Sequence, residues 1–167
     1  FDFKYFIDKK APVTGISAPM CYDCSFEGLL DNYGEEDEEY RFFLCVKVPV
    51  TTLCPCSKEI SDFGAHNQRA IVSVKITYPE DEHIWLEDLV KDIEGCASCE
   101  LYSLLKREDE KYVTEHAYKN PMFVEDVLRD VVLLLRNNEI IDSFEVECES
   151  IESIHNHNHD YYSFFLF

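Results

Sequence analysis

Three stretches of this sequence alternate apolar and polar residues with a period of two. In the first, Phe42, Leu44, Val46, Val48 and Val50 fall on one side. In the second, Val72, Val74, Ile76 and Tyr78 alternate with Ser73, Lys75 and Thr77; in the third, Phe144, Val146 and Cys148 alternate with Glu145, Glu147 and Glu149. Successive side chains of a strand point to opposite faces, so each stretch predicts a strand with one dry and one wet face. The segment Ile16 to Leu30 is strand-like but broken. It would form a hairpin with the first strand across the acidic turn Asp31 to Glu39, DNYGEEDEE, centred on Gly34. The tail, Tyr161 to Phe167, is aromatic enough to predict a last strand against a partner surface.

Two helices are expected to cover the dry faces. Pro79 to Glu82 supplies a helix start, Trp85, Leu89 and Ile93 recur at helical spacing, and Gly95 stands where a C′ glycine would stop the helix. Asn120 and Pro121 make a polar N-cap followed by proline at N1, and Phe123, Val124, Val127, Leu128, Val131, Leu134 and Leu135 form the stripe of a second, longer helix. Phe1 to Lys10 has no clear period, Lys10 to Gly15 reads as a turn, and Cys96 to Glu115 reads as irregular or partly helical. Antiparallel strands with two helices packed on one face define an α+β fold. No internal repeat or low-complexity segment interrupts it.

At 167 residues the chain is expected to be a single folded region, residues 1–167. It has no run of about 18 apolar residues to span a membrane. FDFKYFIDKK has neither a basic n-region nor an apolar core, so no signal peptide is expected. The eight cysteines then read as reduced cytoplasmic thiols rather than a disulfide framework. The pairs Cys21/Cys24 and Cys96/Cys99 are too far apart for a zinc ribbon and read as independent thiols. A net charge of −19 argues against nucleic acid as a partner.

The chemistry concentrates in Thr51 to Arg69, TTLCPCSKEISDFGAHNQR. Cys54 and Cys56 flank Pro55, which stiffens their loop, and His66 follows Cys54 by twelve residues. Thiolate and imidazole are ligand types that zinc and similar metals select. Two buried thiols and a surface histidine are the plain alternative.

The chain resembles the type IB GTP cyclohydrolases, prokaryotic enzymes of the folate pathway. The resemblance rests on PVTTLCPCSKEISDFGAHNQR (Pro49 to Arg69), CELYSLLKR (Cys99 to Arg107), DEKYVTEHAYKNPMFVEDVLRDV (Asp109 to Val131), ESIHNH (Glu152 to His157) and, upstream, KAPVTG (Lys10 to Gly15). It implies the tunnelling fold, in which the sheets of several subunits, four in this family, join into a barrel with active sites at subunit interfaces. Family members usually carry a longer region before the KAPVTG turn, so part of it is expected to be missing here. The implied reaction takes GTP and water to formate and 7,8-dihydroneopterin triphosphate. The implied ligands to one divalent metal, zinc with manganese or iron as alternatives, are Cys54, His66, Glu110 and His155.

Proton transfer falls by resemblance to Cys56, Glu152 and His157. Position 108 is Glu where the family usually has Pro, and Asn158-His159 looks like an insertion after HNH. Glu125 is the implied anchor for guanine, whose N–H and exocyclic amine a carboxylate can accept together. Its plain alternative is a surface pair with Arg129 at i+4. Lys58, Arg69, Lys106, Arg107 and Lys111 flank these segments and are candidates for the triphosphate. Two other readings compete: a nitrile reductase on the same fold, and a non-catalytic, metal-stabilised oligomerisation module.

Overall fold

The computed structural model describes residues 1–31, 34 and 39–166. In chain order its elements are β1 (Asp2–Lys10), β2 (Ser17–Asp31), β3 (Glu39–Leu53), α1 (Pro55–Ile60), β4 (Asn67–Thr77), α2 (Leu86–Gly95), β5 (Cys99–Glu100), α3 (Arg107–Lys119), α4 (Val124–Arg136), β6 (Ser143–Ile151) and β7 (His159–Leu166). The strands form one antiparallel sheet in the order β1-β2-β3-β4-β6-β7, with β5 paired to β3 at Val50 and Thr51. The expected β2–β3 hairpin is present, its last described pair being Asp31 with Glu39. Most of the acidic turn between them lies outside the described residues.

Register explains where the core lies. Val50 pairs with Ala70, Val48 with Val72, Val46 with Val74 and Leu44 with Ile76. Across the next seam Val72 pairs with Cys148, Val74 with Val146 and Ile76 with Phe144. Side chains of directly paired residues share a face, so these residues form parallel apolar rows, all of them buried. Two helices cover the rows: α2 brings Leu89, Val90 and Ile93, and α4 brings Val124, Val127, Val131 and Leu135. Each fully buried aliphatic side chain contributes about 1.5–3 kcal/mol relative to exposure, so these rows dominate the stability of the sheet.

The α+β reading therefore stands, with seven strands and four helices among the described residues, two of which cover the apolar face. Several boundaries differ from expectation. The first ten residues are a regular strand: Phe3, Tyr5, Ile7 and Lys9 are half-buried and alternate with exposed neighbours. The exposed Phe6 had masked that period. The segment Cys96 to Glu115, expected to be irregular or partly helical, is helical from Arg107 on, and α3 continues to Lys119; its smaller core is Ala117 and Val113 against Leu53 and Cys99. Asn120 ends α3 instead of opening α4, and its side chain donates to the Ala97 carbonyl at 3.0 Å. Proline just past a helix end cannot continue it, so the Asn-Pro pair marks a stop. α4 starts at Val124 with Phe123 as N-cap. α2 starts at Leu86, after the Pro79–Glu82 turn, and Gly95 is its last residue, with Cys96 as C-cap. No helix among the described residues is long and apolar enough to cross a membrane.

Candidate active site

The apolar rows stop at one end of the sheet, and polar residues continue them. Beyond Val50 and Ala70 the next pair on the same face is Thr52 and Gln68. Beyond Cys148 comes Ser150, fully buried, and then Glu152, just past the end of β6. One step further along β3 and β4 stand Cys54 and His66, joined through the Cys54 N–H and the His66 carbonyl at 3.2 Å.

Cys54 is fixed from both sides. The preceding residue, Leu53, donates its N–H to Ser98 Oγ at 3.1 Å, and its carbonyl accepts from the Met122 N–H at 3.1 Å. The C-P-C segment, expected to be a loop, opens α1: Cys54 is its N-cap and Pro55 its first helical residue. Proline suits that position because its missing N–H would have no helical partner there. The Ser57 N–H donates to Cys54 Sγ at 3.4 Å. Ser57 Oγ donates to the Cys54 carbonyl at 3.1 Å and accepts from the His66 N–H at 3.2 Å. One serine thus ties the thiol-bearing turn to the imidazole-bearing turn. His66 Nδ1 lies 3.0 Å from Ser153 Oγ, which orients its ring from β6's side.

These residues border a cavity of about 190 Å³ lined by Cys54, His66, Glu125, Glu152, His155 and His159 among others. Six of the residues that could ligate a metal or move a proton therefore share one wall, although they come from segments as distant as 54 and 159. Glu152 is held by a three-member network. Gln68 Nε2 donates to Glu152 Oε1 at 2.6 Å and to Ser150 Oγ at 2.8 Å, and Ser150 Oγ donates to the same Glu152 oxygen at 2.8 Å. Glu125 faces Tyr161 on β7, and the hydrogen bond it accepts from the phenol raises the Tyr161 pKa. The alternative i+4 pair with Arg129 is not formed among the described residues; Arg129 pairs with Asp126 at 2.5 Å. Glu125 is thereby left for the cavity.

Other predicted site residues lie elsewhere. Cys56 is exposed on α1 and does not line this cavity. The His157 ring lies between those of His155, tilted at 5.6 Å, and His159, edge-on at 4.8 Å, but the cavity wall takes its two neighbours. His159, read as part of an insertion, is the first residue of β7, and pairs with Ser150 in the ladder. Glu110 is exposed on α3, one turn before Val113 and Thr114. Those two residues line an adjoining groove with Arg69, Gln68 and Glu152.

Of the basic candidates, only Arg69 reaches that groove. Lys58 donates to the Tyr118 carbonyl at 2.5 Å and sits 4.4 Å over its ring, so it fastens α1 to α3. Lys106 and Arg107 are exposed at the start of α3, and Lys111 pairs at 3.8 Å with Glu115. The start of α3 is itself fixed by the buried Asp109. Its carboxylate accepts from the N–H groups of Val13, Thr14 and Lys106, each at 2.9 Å, and from the Thr14 hydroxyl at 2.7 Å. Burial by itself would raise its pKa, but the donors from Thr14, Lys106 and Val13 outweigh that and hold it well below the usual carboxylate range. The KAPVTG turn is thus clamped to the helix that carries Glu110.

The donor chemistry of the cavity wall fits a transition metal: a thiol, imidazoles and carboxylates line one space. Among the described residues no three His, Cys, Asp or Glu side chains are drawn together as a ready metal cluster. The two C-x-x-C pairs offer no competing site. Cys24 and Cys99 are buried, with their thiols pushed up to about 11 by desolvation, and all eight cysteines are free.

Sequence reasoning missed Thr52, Gln68, Ser150, Tyr161 and Asp109. Alternation held the signal for the first two, since Thr52 extends the even-numbered apolar series of β3 and Gln68 that of β4. A polar residue at a core position asks for a partner.

Fold and site together define an α+β protein with thiol, imidazole and carboxylate groups gathered at one end of an antiparallel sheet. The family model described as type I GTP cyclohydrolase folE2 matches residues 1–159, and the chain belongs to that family. Relatives include the GTP cyclohydrolase FolE2 of Nitrosospira multiformis, 56% identical over 156 residues, covering 93% of this chain and 57% of the relative. That of Geotalea uraniireducens is 53% identical over 157 residues, 94% of this chain and 55% of the relative. That of Caldicellulosiruptor bescii is 53% identical over 158 residues, 95% and 59% respectively. The chain thus spans somewhat more than half the length of these curated relatives. The match sets the chain in the cyclohydrolase family and not with the nitrile reductases.

Proposed function

We propose that the protein is a metal-dependent GTP cyclohydrolase that converts GTP and water to formate and 7,8-dihydroneopterin triphosphate, the first step toward tetrahydrofolate. The observation that carries this is the shared cavity of Cys54, His66, His155, Glu152 and Glu125 in a chain of this family. Cys54, His66 and His155 would hold one divalent ion, zinc or alternatively manganese or iron, with Glu110 as the fourth ligand. Such an ion would supply an activated water at neutral pH, a better nucleophile toward C8 of guanine than unaided water.

The roles given to Glu125 and Glu152 draw on their surroundings, and the others on the family resemblance. Glu125 accepts the ring N–H and the 2-amine of guanine, and Tyr161 steadies it. Adenine, lacking the 2-amine, would leave one carboxylate oxygen unpaired. Glu152 has one oxygen occupied by Gln68 and Ser150 and the other free to move a proton at the opening ring. Cys56 and His157 complete the proton-transfer set. They come from α1 and from the turn before β7, and act where a neighbouring subunit closes the site. Arg69 in the adjoining groove receives the triphosphate, with Lys106, Arg107 and Lys111 at the start of α3; Lys58, tied to Tyr118 at the far end of that helix, is the remaining candidate. The assembly is a homotetramer whose sheets join into a barrel, working in the cytoplasm.

The test is to incubate the full-length protein with GTP and a divalent metal, oxidise, and measure neopterin fluorescence and formate together. Equal amounts of both are expected. Neither product, with metal bound, would overturn the proposal.

A further inference from the structure

Two residues that line the cavity each carry a buried polar atom with no partner among the described residues: Thr52 Oγ1 and Gln68 Oε1. Thr52 is 2% exposed. A buried hydroxyl without a hydrogen bond is costly, and such groups are rare in folded chains. The two residues are a directly opposed pair of β3 and β4, so their side chains share the face that looks into the cavity.

The Gln68 amide can stand only one way round. Turning it over would set its oxygen 2.6 Å from a carboxylate oxygen of Glu152 and forfeit the donation to Ser150. The network that holds Glu152 therefore aims the Gln68 oxygen away from itself as an unpaired acceptor. Beside it the Thr52 hydroxyl offers one donor and two acceptor sites.

We infer that Thr52 and Gln68 form a substrate-reading pair that takes the guanine 2-amine hydrogen left over by Glu125, on the sheet face that ends at Cys54 and His66. This rests on the guanine nucleotide reading above. Thr52 is then placed for the ligand and not for the fold, and stability and activity should respond to its replacement in opposite ways.

The experiment compares Thr52→Val, which keeps shape and drops the hydroxyl, with Thr52→Ser, which keeps the hydroxyl. In the metal-loaded full-length protein, kcat/KM for GTP is expected to fall at least about tenfold in Thr52→Val and to stay within about threefold of the parent in Thr52→Ser. Calorimetric affinity for GTP should weaken in parallel. The melting temperature of Thr52→Val without GTP should equal or exceed the parent's, because an unpaired buried hydroxyl is replaced by a methyl group. Valine retaining parental kcat/KM would overturn the inference. So would a lower melting temperature in the valine variant, which marks a structural hydroxyl, or equal losses in both variants. If the parent itself neither binds nor turns over GTP, the functional reading fails first and this inference with it.

Discussion

Along β3, β4 and β6 a single sheet face changes character within two residues. Leu44 to Val50, Ala70 to Ile76 and Phe144 to Cys148 pack dry against α2 and α4. The same face then continues as Thr52, Gln68, Ser150 and Glu152, and ends at Cys54 and His66. The apolar part is satisfied by its own neighbours. The polar part carries two buried atoms without partners and a cavity beside them. Strand alternation thus fixes which residues line the site as firmly as it fixes the core. The site is the continuation of the core rows beyond the covering helices.

Changes on the two sides of that boundary should separate cleanly. The largest effect is expected in the dry rows. Ile76→Ala, at a fully buried position, should cost about 2–5 kcal/mol of stability through lost burial and the cavity left behind. Denaturant midpoints would report this, with turnover per folded molecule near the parent's. Loss of turnover at full stability would break the division.

Next comes Glu125→Gln, on the polar side. It replaces one carboxylate acceptor with a donor facing guanine, and should lower kcat/KM for GTP about a hundredfold, about 3 kcal/mol, with metal content and melting temperature unchanged. A fall within about threefold would make Glu125 an ordinary helix-surface residue.

The smallest effect concerns a buried polar group that is satisfied. Asp109 has a depressed pKa in the folded state, so its stabilising share is present above the unfolded value of about 3.9 and is lost as pH falls toward the folded value. Asp109→Asn should melt lower near neutral pH. The gap from the parent should close as pH is taken below about 4. Melting curves across pH would check this. A gap that stays constant in acid would contradict the ionised clamp.

Much of this was legible in the sequence because alternation survives in β3, β4 and β6, where one face is dry and the other wet. It failed in β1, where an exposed Phe6 breaks the count, and at Asn120-Pro121, where the same dipeptide suits a helix start or a helix stop. The Asn120 N–H bonds back to His116 and Ala117, and its side chain to Ala97, which makes it a stop. Cys54 and His66 were legible as metal-type residues, and their neighbourhood follows from a strand pair whose ends they occupy. The partners of Glu152 were not, since a glutamate beyond an alternating run of glutamates carries no local mark of its network. Which histidine of the 155–159 run faces the cavity depends on the β6–β7 register, which places His159 opposite Ser150.

The central claim is that the polar end of this face is a metal site built on Cys54 and His66. Metal analysis of the purified, reconstituted full-length protein tests it most directly, comparing the parent with Cys54→Ala and His66→Ala. The parent should hold about one divalent ion per chain, and each variant should lose most of it together with GTP turnover. Full metal content in both variants would contradict the account.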